Sequence, residues 1–153
     1  MKKRILLCVT IIIIASIFIH SAIPGNESQT ESDSVFLIFD QILTFLHLPN
    51  FFNEATIRKL AHFVEFSFLG FFLSATVHAY SGFKNQIFKI LFFILAVPVA
   101  DESLQYFSDG RSSQVRDVLI DFSGGLFGFF LLWVLILIVN AVEKKKTVSE
   151  LSK

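Results

Sequence analysis

Apolar runs long enough to cross a lipid bilayer constrain this chain more than any other feature. The first run covers residues 5–23 and contains no Asp, Glu, Lys or Arg. As a helix it reaches roughly 28 Å, close to the thickness of the hydrocarbon core. Three more runs cover 58–80, 86–105 and 118–142. These lengths predict an all-α integral membrane protein, a four-helix bundle in one domain spanning residues 1–153.

The composition agrees with a membrane environment and excludes several classes of protein. Hydrophobic residues make up 54% of the chain, charged residues 17%, and the mean hydropathy is +0.67, which is typical of a chain that lies in lipid. The formal net charge is zero, and no basic cluster is interleaved with aromatics, so we expect no nucleic-acid partner. Cys8 is the only cysteine, which excludes an internal disulfide or a thiolate cluster. We expect no cofactor.

The basic start of the chain, Lys2 to Arg4, also fits a signal peptide. The apolar run that follows is long for such a peptide, and cleavage after Ala22 would leave bulky His20 where a small residue is required. We therefore predict that the first helix is retained.

The segment after the first run, residues 24–57, predicts a loop on the outer side. Gly25 to Ser34 is polar and acidic, and its low hydrophobicity predicts a mobile loop. Val35 to Leu48 is apolar but too short to span and is interrupted by polar side chains. It predicts a short interfacial or re-entrant helix that ends at Pro49.

The third run crosses only if polar residues continue it. Its uncharged part, Ile87 to Ala100, is too short alone. The helix must therefore continue through Asp101, Glu102 and Gln105, with Pro98 as a kink.

Basic residues at the helix ends predict the orientation, because Lys and Arg are retained on the cytoplasmic side. If both termini are cytoplasmic, the inner side has nine basic and two acidic residues, and the outer side has four basic and eleven acidic residues. We therefore predict a multi-pass protein of the cell membrane.

Ionisable side chains at the outer ends of three runs are costly in a membrane and usually face protein or a wet cavity. Arg58, His62 and Glu65 lie within an arc of about 60° on one helix face. Similar spacings of three or four residues relate the polar residues at the outer ends of the third and fourth runs. We expect one shared outward-facing polar site. Its catalytic candidates are His62, Glu65, Asp101 and Glu102, and its predicted ligand-binding residues are Arg58, Lys59, Gln105, Arg111, Arg116, Asp117 and Asp121.

Two interpretations of these residues compete with a binding site. Buried charges need partners whatever they do, so an ion-pair network that fixes helix register would explain them equally. The carboxylates and His62 also supply ligands for a metal ion. Their spacing matches no metal signature, and we assign no metal from the sequence.

Gly124 and Gly128 lie four residues apart in the fourth run. Small residues at this spacing let membrane helices approach closely, so we predict a helix-packing role.

Several polar segments together resemble the VanZ-like family. The first is Ile57 to Phe66 followed by Leu69-Gly70. The second is Asp101 to Phe107, then Gly110-Arg111, Arg116 to Asp121 and Gly124-Gly125. Two positions depart from the family pattern, because members often carry histidine where this chain has Leu104 and proline where it has Asp109. A mechanism that needs two histidines is therefore doubtful for this chain.

The resemblance implies a role in the cell envelope, because the family is named for a protein that gives low-level resistance to teicoplanin, a lipidated glycopeptide. We expect the polar site to bind a lipid headgroup or lipoglycopeptide and so to contribute to resistance. An alternative is a membrane enzyme that acts on a lipid-linked envelope substrate by acid/base or metal-assisted chemistry. A third is a scaffold that binds other membrane proteins through its glycine face, and a weaker fourth is a proton-coupled transporter.

Overall fold

The computed structural model describes residues 2–47, 53–83, 86–111 and 113–151. These ranges contain five helices and no strand, so the all-α class is confirmed. The helices are α1 (Lys2–Ala22), α2 (Gly25–Phe45), α3 (Glu54–Ser81), α4 (Ile87–Tyr106) and α5 (Val115–Leu151).

Three helices are long and apolar enough to cross a membrane: α1, α3 over Ala55–Ser81, and α5 over Val115–Glu150. The fourth predicted span, α4, has 20 residues and continues through its acidic end as expected, with Pro98 inside. It is mainly apolar, but every stretch of α4 long enough to cross contains the three charged residues Lys89, Asp101 and Glu102, and α4 is not among the three candidate spans. The prediction of four spanning helices is therefore supported for three of them by length and composition.

The four helices α1, α3, α4 and α5 alternate in direction, which gathers their polar ends at one end of the bundle. Helix α1 runs antiparallel to α3, since Thr10 Oγ1 lies 2.9 Å from Thr76 Oγ1, whereas Ile17 packs with Phe66 near the other end. Helix α4 ends beside the end of α1, where Ser21 donates a hydrogen bond to Asp101. The ends of α1 and α4 thus meet the starts of α3 and α5.

Glycines let α3 and α5 approach until their backbones touch. A Cβ built on Gly124 would overlap the carbonyl oxygen of Phe63, and one on Gly128 would overlap that of Ser67. From the other helix, a Cβ on Gly70 would overlap the carbonyl oxygen of Gly125. This close approach fixes the register that sets the charged starts of α3 and α5 side by side.

Apolar side chains both fill the interior and cover the outside. One buried cluster contains Ile17, Phe66, Leu69 and Val97, and a second contains Leu73, Ile90 and Ile94. Many large apolar side chains are nevertheless uncovered by protein, among them Phe88 at 86% exposure and Ile12 at 65%. Such a surface is compatible with lipid rather than water.

The structure corrects the prediction for the segment after α1. Gly25 to Ser34 is helical rather than a loop, because α2 begins at Gly25 and not near Val35. The hydropathy argument did not consider a contact made only in the folded chain: at the start of α2, the Gly25 N–H donates a hydrogen bond to the Asp109 carbonyl at 2.8 Å.

The far end of α2 also differs from the prediction. The helix ends at Phe45, and Leu46 follows as its C-cap. Leu48 and the predicted terminator Pro49 lie outside the described residues. An interfacial or re-entrant placement of α2 remains a prediction.

Candidate functional site

A polar cavity of about 100 Å³ lies where the ends of α1 and α4 meet the starts of α3 and α5. This volume holds several water molecules or one small polar group. It is much smaller than the roughly 300–1,000 Å³ of a pocket for a drug-sized ligand. The cavity is lined by Gly25, Arg58, Lys59, His62, Glu102, Gln105, Gly110, Arg111, Asp117, Ile120 and Asp121.

The first two turns of α3 supply three cavity-lining side chains. Asn53 caps the helix, since its side-chain oxygen accepts a hydrogen bond from the Thr56 N–H at 2.8 Å. The helix repeat then places Arg58 and His62 one turn apart on the same face, with Lys59 beside them. The cap fixes where the helix begins, and the packing of α3 on α5 turns this face toward the cavity.

The first turns of α5 supply two carboxylates. Asp117 lies 3.6 Å from Lys59 Nζ, and Asp121, one turn later, lies 3.7 Å from His62 Nδ1. Asp121 is only 1% exposed. Within the described ranges, neither of its oxygens has a hydrogen-bond partner.

The last turns of α4 add a second deeply buried carboxylate, Asp101, also 1% exposed. It accepts one hydrogen bond from Ser21 Oγ and another from Gln105 Nε2 at 2.9 Å. The neighbouring Glu102 accepts a hydrogen bond from the Gln114 N–H. Asp101 does not itself line the cavity but lies against residues that do.

The connection between α4 and α5 packs on the end of α1. Arg111 Nη2 donates to the His20 carbonyl at 2.9 Å, and Ser108 Oγ donates to the Ser21 carbonyl at 2.8 Å. Sequence reasoning missed Ser21, Ser108 and the role of the His20 carbonyl. The only signal was a polar residue at the end of an otherwise apolar run, which alone indicates no partner.

Most predicted site residues come together, but two do not. Glu65 is half-buried on α3 and does not line the cavity, and Arg116 is exposed on the outside of α5. Of the catalytic candidates, His62 and Glu102 line the cavity. An enzymatic role for any of the four candidates remains a prediction.

Charged side chains of both signs line the cavity. Arg58, Lys59 and Arg111 face Glu102, Asp117 and Asp121, three of each sign. Lys59 is paired with Asp117, whereas no carboxylate of the described residues lies within 4.0 Å of the Arg58 guanidinium. The Arg58 guanidinium can therefore donate hydrogen bonds to an anionic oxygen of a ligand without breaking an existing ion pair.

One group of side chains has the composition of a metal site. One ligand atom from each of His62, Asp101 and Asp121 lies within 4.8 Å of the other two. The three residues come from α3, α4 and α5, which is why no spacing in the sequence indicates them.

The model of the VanZ/LLP1 family matches residues 6–138, which are 133 of the 153 residues. The chain belongs to the VanZ/LLP1 family. The match extends from α1 through most of α5, so the resemblance to VanZ-like proteins that was inferred from motifs is confirmed. Neither the curated proteins nor the solved structures gave a match.

Proposed function

We propose that this VanZ/LLP1 protein is a multi-pass protein of the cell membrane and that its polar cavity binds the anionic headgroup of an envelope amphiphile. Through this binding the protein would contribute to resistance to glycopeptides such as teicoplanin. The observation that carries the proposal is the set of three cations lining the cavity, of which Arg58 has no carboxylate partner among the residues that the structure describes. Arginine suits this role because its guanidinium binds phosphate or carboxylate with two parallel hydrogen bonds.

The size of the cavity decides which part of the amphiphile enters. About 100 Å³ accommodates a phosphate or carboxylate with its water, but not a whole glycopeptide. The ligand's apolar part would remain in the bilayer beside the helices. We therefore propose a lipid headgroup, or the anionic group of a lipoglycopeptide, as the ligand.

The cavity faces the exterior in this proposal, and both termini are cytoplasmic. The basic stretch Lys144 to Lys146 near the end of α5 and the start Lys2 to Arg4 lie at the opposite end of the bundle from the cavity. Retention of Lys and Arg in the cytoplasm favours this orientation. It requires α4 to cross as a fourth span, with Asp101 and Glu102 turned into protein and away from lipid.

An interfacial position for α2 follows from its uncovered apolar side chains. Ile38, Ile42 and Phe45 recur on one face of the helix and are 60%, 50% and 81% exposed. Lipid at the outer interface is the natural cover for such a face. The start of α2 at Gly25 would then lie at the mouth of the cavity.

Teicoplanin susceptibility tests the proposal. Cells that produce the wild-type protein should tolerate more teicoplanin than cells without it, and Arg58→Ala should abolish most of that protection. The loss of one charged hydrogen-bonding partner corresponds to about 1.5 to 3 kcal/mol, or roughly a tenfold to hundredfold loss of affinity.

Arg116→Ala is the matched control, because Arg116 is exposed outside the cavity and its removal changes the outer charge equally. It should retain protection. Membrane levels of each variant are compared by immunoblot. Equal susceptibility with and without the wild-type protein, or full protection by Arg58→Ala at normal levels, would contradict the proposal.

A further inference from the structure

Asp121 is buried at the cavity without the hydrogen bonds that normally stabilise a buried carboxylate. It is 1% exposed, and neither carboxylate oxygen has a hydrogen-bond partner in the described part of the chain. A buried carboxylate without hydrogen bonds is strongly unfavourable. The imidazole of His62 lies beside it, with Nδ1 3.7 Å from Oδ1.

That separation is too long for a hydrogen bond but suits two ligands of one ion. N–H···O hydrogen bonds measure about 2.7 to 3.2 Å. Two atoms bound to a tetrahedral zinc ion at about 2.0 to 2.2 Å are roughly 3.3 to 3.6 Å apart. A third ligand, Asp101, brings all three donor atoms within 4.8 Å of one another.

We propose that His62, Asp101 and Asp121 bind one divalent transition-metal ion, Zn²⁺ or Mn²⁺, at the cavity. One imidazole and two carboxylates favour these ions over Mg²⁺ and Ca²⁺, which prefer all-oxygen sites. Three protein ligands leave at least one coordination position open, as in sites that bind water or a ligand oxygen.

The surroundings of Asp101 support the same role. Ser21 Oγ and Gln105 Nε2 each donate a hydrogen bond to one of its oxygens. Carboxylates that bind metals are commonly oriented by such hydrogen bonds, and each oxygen keeps a lone pair for the ion. Asp101 is therefore held in place, whereas the Asp121 oxygens have no hydrogen-bond partner among the described residues.

The ion would also extend the proposed function, because two positive charges added to a cavity lined by three cations and three carboxylates favour an anionic headgroup. The metal site does not rest on headgroup binding. It is therefore tested without any amphiphile.

The experiment measures metal in the purified full-length protein in detergent. The protein is stripped with a chelator, incubated with Zn²⁺ or Mn²⁺, freed of excess ion and analysed by mass spectrometry for metal per chain. Wild type should hold about one ion per chain, with a higher midpoint of thermal unfolding when the ion is present. Asp121→Asn and His62→Gln should each retain less than about a tenth of it.

Asp117→Asn is the control, because Asp117 lies one turn from Asp121 on the same helix face but pairs with Lys59. It should keep the ion, and so should Arg58→Ala. Size-exclusion chromatography verifies that each variant is folded, and either ligand variant suffices if the other fails. Wild type that binds neither ion, or folded ligand variants that bind as wild type does, would overturn the site. A protein that binds the ion yet gives no protection from teicoplanin would contradict the proposed function alone.

Discussion

Asp101 and Asp121 are both buried to 1% exposure, yet they are stabilised differently. Asp101 receives hydrogen bonds from Ser21 on α1 and Gln105 on its own helix, whereas Asp121 receives none from the described residues and lies 3.7 Å from His62 Nδ1. Burying a charge is costly without partners. Each hydrogen bond to Asp101 should therefore contribute measurably to folding.

Removing the Ser21 hydroxyl should destabilise the protein. Ser21→Ala takes one donor from a buried carboxylate, and we expect the free energy of unfolding to fall by about 1.5 to 3 kcal/mol. Thermal and denaturant unfolding in detergent measure the loss. Ser16→Ala is the control, since Ser16 is exposed on the same helix and bonds only to the Ile13 carbonyl. Equal stability of the two variants would refute the role of Ser21.

The sequence predicted those site residues that are ionisable side chains within an apolar run. Arg58, His62 and Asp121 stand out because charged side chains in membrane helices need protein or water around them. Ser21 does not stand out, because a serine in an apolar helix commonly bonds to the carbonyl of the preceding turn, and the Ile17 carbonyl oxygen lies 3.0 Å from the Ser21 hydroxyl. Its partner Asp101 lies 80 residues away, and only the folded arrangement identifies it.

Helices α3 and α5 make the closest contact between elements, and glycine permits it. A Cβ at Gly128 would overlap the Ser67 carbonyl oxygen and the Phe71 amide nitrogen of the facing helix. Backbone atoms cannot turn aside as a side chain does. A methyl group at Gly128 therefore requires the two helices to move apart.

Gly128→Ala should lower stability against the trend of helix propensity. In an open helix position the change would stabilise by about 1 kcal/mol, but here we expect a net loss of about 1 to 3 kcal/mol from overpacking. Ser123→Ala, exposed on the same helix, should have little effect. Unfolding in detergent measures the change in stability. A gain in stability for Gly128→Ala would show that Gly128 has no packing role.

The sequence predicted α1, α3 and α5 well and α2 poorly, for a physical reason. A long apolar run that lies in lipid forms a helix, because the helix pairs the backbone N–H and C=O groups within the run. The polar half of α2 has no such constraint, and its helical state depends on the Pro24 start and on a hydrogen bond from Gly25 to Asp109. That bond joins residues far apart in sequence, so composition alone predicted a loop.

Across the whole molecule, zero net charge conceals a polarised distribution. The cavity occupies one end of the bundle, and the end of α5 with Lys144 to Lys146 extends from the other. Helix α5 has 37 residues, or about 55 Å of helix, so it exceeds the roughly 30 Å hydrocarbon core and its basic end emerges into water. Outward exposure of the cavity follows only if this basic end is cytoplasmic.

Cysteine labelling in intact cells tests that orientation most directly. In a Cys8→Ser background, single cysteines are introduced by Asp109→Cys, next to the cavity-lining Gly110, and by Lys145→Cys, both at exposed positions. A membrane-impermeant maleimide should label the first in intact cells and the second only after the membrane is permeabilised. Labelling of Lys145→Cys but not Asp109→Cys in intact cells would place the cavity in the cytoplasm and contradict an outward-facing headgroup site.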